Sequence, residues 1–100
     1  MDAGVVVPPA WEEALPRIVR EAVSNAVRHG KARTISVHLH ETDGLWLRVS
    51  DDGVGFDVDA PAPETSFGLI GMKERTESLG GEFRISSQPG RGTSVEVLLP

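Results

Sequence analysis

The chain predicts an α+β fold: a two-layer α/β sandwich with helices on one face of a mixed, largely antiparallel sheet. Three observations carry that prediction. Between Leu15 and Val27 the apolar residues Leu15, Ile18, Val19, Ala22, Val23, Ala26 and Val27 recur at helical spacing. Four later stretches alternate apolar and polar residues with the period of a half-buried strand. Glycine-bearing turns join those stretches in hairpins, so one sheet face needs a cover and the other stays wet. With 100 residues, the chain is expected to form a single domain, 1–100, around one core.

The elements follow in order. Val5-Val6-Val7, stopped by Pro8-Pro9, suits a short edge strand. The first helix tolerates Pro16 only in its opening turn, and it ends at Gly30, a natural residue to follow a helix. Thr34 to His40 is a strand with Ile35, Val37 and Leu39 on one side and Ser36, His38 and His40 on the other. Glu41-Thr42-Asp43-Gly44 turns into a second strand, Leu45 to Asp51, with Leu45, Leu47 and Val49 inward. Asp57 to Ser66 is acidic and rich in Pro and Ala, and reads as a mobile loop without regular structure. Gly68 to Leu79 reads as a second helix, with Leu69, Ile70, Met72, Thr76 and Leu79 near one face and Gly80-Gly81 stopping it. Two last strands, Glu82 to Ser87 and Thr93 to Leu99, turn Phe83, Ile85, Val95, Val97 and Leu99 inward.

Composition excludes several function classes. A net charge of -5 argues against nucleic-acid binding through a basic surface. The chain has no cysteine, hence no disulfide, no thiolate metal site and no cysteine nucleophile. No apolar run is long enough to span a membrane and no signal-peptide pattern opens the chain, so a cytoplasmic domain without membrane contact is expected. His38 and His40 share a strand face, but no third ligand lies near them in sequence, and they read as wet-face residues.

The candidates for chemistry are polar residues in places that a purely structural chain would fill otherwise. Glu21, Asn25 and His29 lie at i, i+4 and i+8, within an arc of roughly 80° that overlaps the edge of the apolar face. Half-buried polar groups there need partners, which a ligand or solvent can supply. Asp51 continues the inward series Leu45, Leu47, Val49, and Thr93 opens the inward series Val95, Val97, Leu99. An inward carboxylate needs a donor: the glycine turn that follows it, or a ligand group such as an exocyclic amine. Gly68-Leu69-Ile70-Gly71 opens the second helix, where free N–H groups suit phosphates. Neither a Walker A loop nor a dinucleotide fingerprint is present.

Taken in order, Glu-x3-Asn-x2-Arg-His, Asp-Asp-Gly-x-Gly, Gly-Leu-x-Gly-Met-x-x-Arg and Gly-x-Gly-Thr make the chain resemble the ATP-binding catalytic domain of bacterial two-component sensor histidine kinases. The subfamily it resembles is that of nitrate and lipid-fluidity sensors, and the implied fold is the one shared with gyrase, Hsp90 and MutL ATPases. The resemblance runs from about Leu15 to Pro100. It implies ATP and Mg2+ as cofactors, with Asn25 as the metal ligand and Glu21 as the catalytic carboxylate beside it. It places Arg28 and His29 near the phosphates, and Asp51 on the adenine amine with Gly53 and Gly55 making room for the ring. Gly68, Leu69, Gly71 and Met72 match the segment that closes over the phosphates, and Thr93 matches a hydroxyl near adenine. The stretch from Phe56 to Phe67 is a short lid, and Phe67 has no assigned role.

Residue chemistry agrees with those roles: an amide oxygen suits a Mg2+ ion that keeps water and phosphate ligands, and a carboxylate one turn away can hold its water or polarise an attacking group. Such kinases carry a phosphoacceptor histidine on a dimerising helix, and His29, His38 and His40 are not in such a setting. The chain is therefore expected to be an excised catalytic domain, monomeric alone and part of a homodimer at full length. Its expected partners are the dimerisation and phosphoacceptor helices of its own full-length chain and a response regulator. Two alternatives stand beside this reading: an anti-sigma-type serine kinase, and a nucleotide-sensing module without transfer chemistry.

Overall fold

A computed structural model of the chain describes residues 7–41, 44–60 and 63–99, with 63–67 as backbone alone. After a single 3-10 turn, Pro9–Trp11, the elements are α1 (Ala14–Arg28), β1 (Ile35–Glu41), β2 (Leu45–Asp51), α2 (Pro63–Ser78), β3 (Glu82–Ser87) and β4 (Thr93–Leu98). The strands form one sheet in the order β1-β2-β4-β3. All three pairings are antiparallel, so among the described residues the sheet is not mixed. Two hairpins, β1–β2 and β3–β4, meet along β2 and β4, and α2 is the connection between them. Val5 and Val6 of the expected edge strand lie outside the described residues, as do Thr42 and Asp43 of the expected turn. Val7 is not in a strand, though it packs against the core.

The core lies between the helices and the two central strands. Leu45, Leu47 and Val49 of β2, and Val95 and Val97 of β4, are buried at every second position, as alternation requires. Leu99 is buried too, one residue past β4, held where its N–H donates to the carbonyl of Leu45 at 2.8 Å. Facing them, α1 buries Ala14, Leu15, Ile18, Ala22 and Ala26, and Pro16 sits in its first turn. Trp11 closes one end of the core at 2% exposure, against Gly81: a Cβ there would stand 2.6 Å from the indole ring.

Three expectations about elements are corrected. The second helix begins at Pro63, five residues before Gly68, because proline presets the first helical φ and lacks an N–H that would have no partner there. Residues 63–66 therefore belong to a helix and not to the loop. Within α2, Met72 and Thr76 are buried and Leu69 and Leu79 pack against the core, but Ile70 is 52% exposed, one residue off that face. Val27 of α1 and Val37 of β1 are likewise exposed, at 56% and 48%. β1 is an outer strand at the margin of the helical layer, and its burial does not alternate. α1 does end as expected, with His29 as its C-cap and Gly30 directly after it, and Lys31 takes the left-handed conformation (φ 52°).

Candidate functional site

A cavity of about 350 Å³ opens where the core stops short of filling the space between α1 and the ends of β2 and β4. Its walls are largely apolar: Ala22 and Ala26 of α1, Val49 and Val95 of the central strands, and Leu69 of α2. Two alanines one turn apart, where larger side chains would have closed the gap, keep it open. Asp51 and Thr93 supply the polar wall. They are Cα partners across β2 and β4, so their side chains stand on the same sheet face. Asn25, Arg28, His29 and Gly30 line it from the last turns of α1, with Arg28 and His29 exposed to solvent. Gly55 and Phe56 close it from the loop after β2. The volume lies within the range typical of small-molecule sites, about 300–1,000 Å³.

The loop after β2 is fastened by two adjacent carboxylates with opposite assignments. Asp51 faces inward, and its Oδ1 accepts the N–H of Gly53 at 2.8 Å. That is the glycine-turn contact open to it from sequence, and Asp51 also lines the cavity. Asp52 faces outward, where its Oδ1 accepts the N–H groups of Arg33 and Thr34 at 2.9 Å each. The Thr34 and Arg33 amides hold its carboxyl below the ordinary value. The N–H of Val54 donates to the carbonyl of Gly30 at 2.8 Å, tying the same loop to the end of α1. Gly53 lies behind the cavity, and a side chain there would strike the Gly30 carbonyl, so it clears space for backbone and not for a ligand ring. Gly55 does line the cavity, at φ +66°, and a side chain would also strike the carbonyl of Gln88.

Ser87, at the end of β3, was not among the sequence candidates. It is 7% exposed, and its Oγ lies 2.9 Å from the Phe56 N–H, 3.0 Å from the Gly92 carbonyl and 2.8 Å from Thr93 Oγ1. The signal was available: Ser87 continues the inward series Phe83, Ile85, and an inward serine in an apolar row needs partners.

The remaining candidates form a neighbouring group. Glu21, Gly68, Gly71 and Met72, with Arg17, Ile18 and Arg75, line a second and shallower concavity between α1 and α2. Gly68 is the point of closest approach: a side chain there would strike the Glu21 carboxylate and stand 3.2 Å from the Asn25 amide nitrogen. Met72 is 3% exposed and belongs to the core. Because α2 starts at Pro63, Gly68 to Met72 are interior helical residues, and their N–H groups are not the free amides of a helix start. Glu21 lines this concavity and not the cavity that holds Asp51 and Thr93. The described residues contain no cluster of three or more His, Cys, Asp or Glu side chains fit to hold a metal by themselves.

Known proteins of related sequence and fold place the chain in a family. The sensor protein VraS of Staphylococcus haemolyticus (strain JCSC1435) is 43% identical over 95 residues, and so is that of Staphylococcus aureus (strain COL). Each match covers 94% of this chain and 27% of the relative, so the chain spans about a quarter of the length of the curated relatives it matches. Among solved structures, the histidine kinase domain of the blue-light activated histidine kinase from Erythrobacter litoralis EL346 superposes with a TM-score of 0.78 at 25% identity. That superposition covers 96% of this chain and 50% of the other. No helix among the described residues is long and apolar enough to cross a membrane. Residues 11–100, which include every wall of the cavity, match the family of histidine kinase-, DNA gyrase B- and HSP90-like ATPases, and to that family the chain belongs.

Proposed function

We propose that the chain binds Mg-ATP in the cavity between α1 and the β2–β4 strand ends, and presents the γ-phosphate to a histidine on dimerisation helices of a longer chain. A response regulator then receives the phosphoryl group. The observation that carries this reading is the cavity itself: an apolar slot, a paired carboxylate and hydroxyl on one wall, and Asn25, Arg28 and His29 along α1. The purine enters between Ala22, Ala26, Val49, Val95 and Leu69, which exclude water from its faces. Asp51 accepts from the exocyclic amine, Arg28 offsets phosphate charge at the exposed end of the site, and His29 offers a ring N–H beside it.

The residues fit Mg2+ as an ion shared with the nucleotide. Mg2+ uses one or two protein oxygens alongside phosphate oxygens and water, and the Asn25 side chain lines the cavity beside Arg28. The ion would supply neutralisation of the triphosphate charge. Glu21 lies one turn earlier on α1, in the adjoining concavity with Gly68, and its proposed role, orienting the attacking group, requires the phosphates to extend from the cavity toward it.

Calorimetric titration with ATP tests the reading. Binding is expected in Mg2+, weakened at least about tenfold by chelation or by Asn25→Ala, since 1.4 kcal/mol is a decade in affinity. Equal titration curves for wild type and Asn25→Ala in Mg2+ would take Asn25 out of the site. Absence of ATP binding by the wild type would overturn the reading as a whole.

A further inference from the structure

Resting on the nucleotide reading of this cavity, the hydrogen-bond geometry points to Ser87 as a positioning residue that sets which purine edge the site accepts. Asp51, Thr93 and Ser87 form one cross-strand row on the helix-facing side of the sheet, through the register pairs Asp51–Thr93 and Ser87–Thr93. Ser87 does not line the ligand cavity between α1 and the sheet, so it acts through Thr93.

The argument is a count of hydrogens. A serine hydroxyl has one hydrogen to give and two lone pairs to receive. The Phe56 N–H, at 2.9 Å, can only donate to it. The Gly92 carbonyl, at 3.0 Å, can only accept from it. The Ser87 hydrogen therefore goes to Gly92, and the 2.8 Å contact between the two hydroxyls uses the hydrogen of Thr93. This is the one assignment that makes all three contacts hydrogen bonds. It leaves Thr93 with lone pairs alone for the ligand. Beside it stands Asp51, whose carboxylate is an acceptor with Oδ1 committed to Gly53.

The polar wall is thus acceptor-only, two side chains wide. Its complement is a group that donates two hydrogens in one plane, which an exocyclic amine does. A 6-oxo purine brings an acceptor to the same place, leaving unpaired lone pairs facing one another in a desolvated slot. Without Ser87, the Thr93 hydroxyl is free to turn its hydrogen toward the cavity and donate to a 6-oxo group. Ser87 keeps that hydrogen away from the ligand.

The test compares ATP with inosine triphosphate, which replaces the 6-amine by an oxygen. Dissociation constants are measured calorimetrically on the wild type, Ser87→Ala and the double variant Ser87→Ala/Thr93→Val. The wild type should prefer ATP by about tenfold or more. In Ser87→Ala that ratio should narrow by about threefold to tenfold, the worth of one hydrogen bond, through tighter inosine triphosphate binding. The double variant, with no hydroxyl to reorient, should lose the gain for inosine triphosphate. Ser87→Cys, of nearly the same shape, gives the same direction should Ser87→Ala not fold. If both nucleotides weaken in parallel at an unchanged ratio, Ser87 merely anchors Phe56 and the proposal is overturned, while the nucleotide reading stands. If the wild type binds neither nucleotide, the nucleotide reading fails and the proposal with it.

Discussion

Asp51 and Asp52 are neighbours of one chemical type with separate tasks, and strand parity decides between them. Asp51 ends β2 on the inward side, so its test is base recognition: Asp51→Asn should weaken ATP and narrow its preference over GTP, because an amide can turn an N–H toward the guanine oxygen. Dissociation constants for both nucleotides on both proteins check this, and an unchanged ratio would place the adenine contact elsewhere. Asp52 ends no ligand wall; it accepts the Thr34 and Arg33 amides that lead into β1. Since those bonds hold its carboxyl below the ordinary value, its contribution to folding is present above the unfolded carboxylate range and is lost as pH falls through that range toward the lower folded value. Urea midpoints for wild type and Asp52→Ala should differ near neutral pH and converge by about pH 2; a gap constant with pH would refute the assignment. Parity along β2 and β4 made Asp51 and Thr93 legible from sequence. Ser87 was equally regular in its strand, but its role arises from contacts with Phe56 and Gly92 that no spacing along β3 encodes.

At the scale of elements, the strands and α1 were legible because their apolar periods are clean, whereas the start of α2 was not. Pro63 and the polar residues after it have loop composition, yet proline at a first helical position favours the helix. Glu21 and Gly68 line the concavity between α1 and α2 and not the Asp51 cavity. α2 also carries an unpaired group. Thr76 is 0% exposed, and its Oγ1 has no hydrogen-bond partner among the described residues. Thr76→Val keeps the shape and removes the hydroxyl, so it should stabilise the protein by roughly 1–3 kcal/mol. Chemical denaturation reads the change directly, and a lower midpoint for the variant would show that the hydroxyl has a partner.

For the molecule as a whole, the two layers meet completely around Trp11, Ile18 and Val97, each at most 2% exposed, and incompletely at the opposite ends of β2 and β4. Sequence patterning announced the layers, but a void has no pattern of its own; Ala22 and Ala26 reveal it only once α1 is seated on the sheet. The side chains that bound the void, Val49, Val95, Ala22 and Leu69, belong also to the hydrophobic core or pack against it. On the proposed reading, the purine is therefore packed by the same side chains that pack the core. A ligand at a hundred times its dissociation constant adds about 2.7 kcal/mol of folding stability. That corresponds to a rise in melting temperature of roughly 10–20 °C for a chain of this size. Differential scanning fluorimetry with and without ATP should show the rise, and Asp51→Asn should reduce it. On the proposed reading, where proteases act on the opened form, the nucleotide level surrounding the chain governs how long it survives.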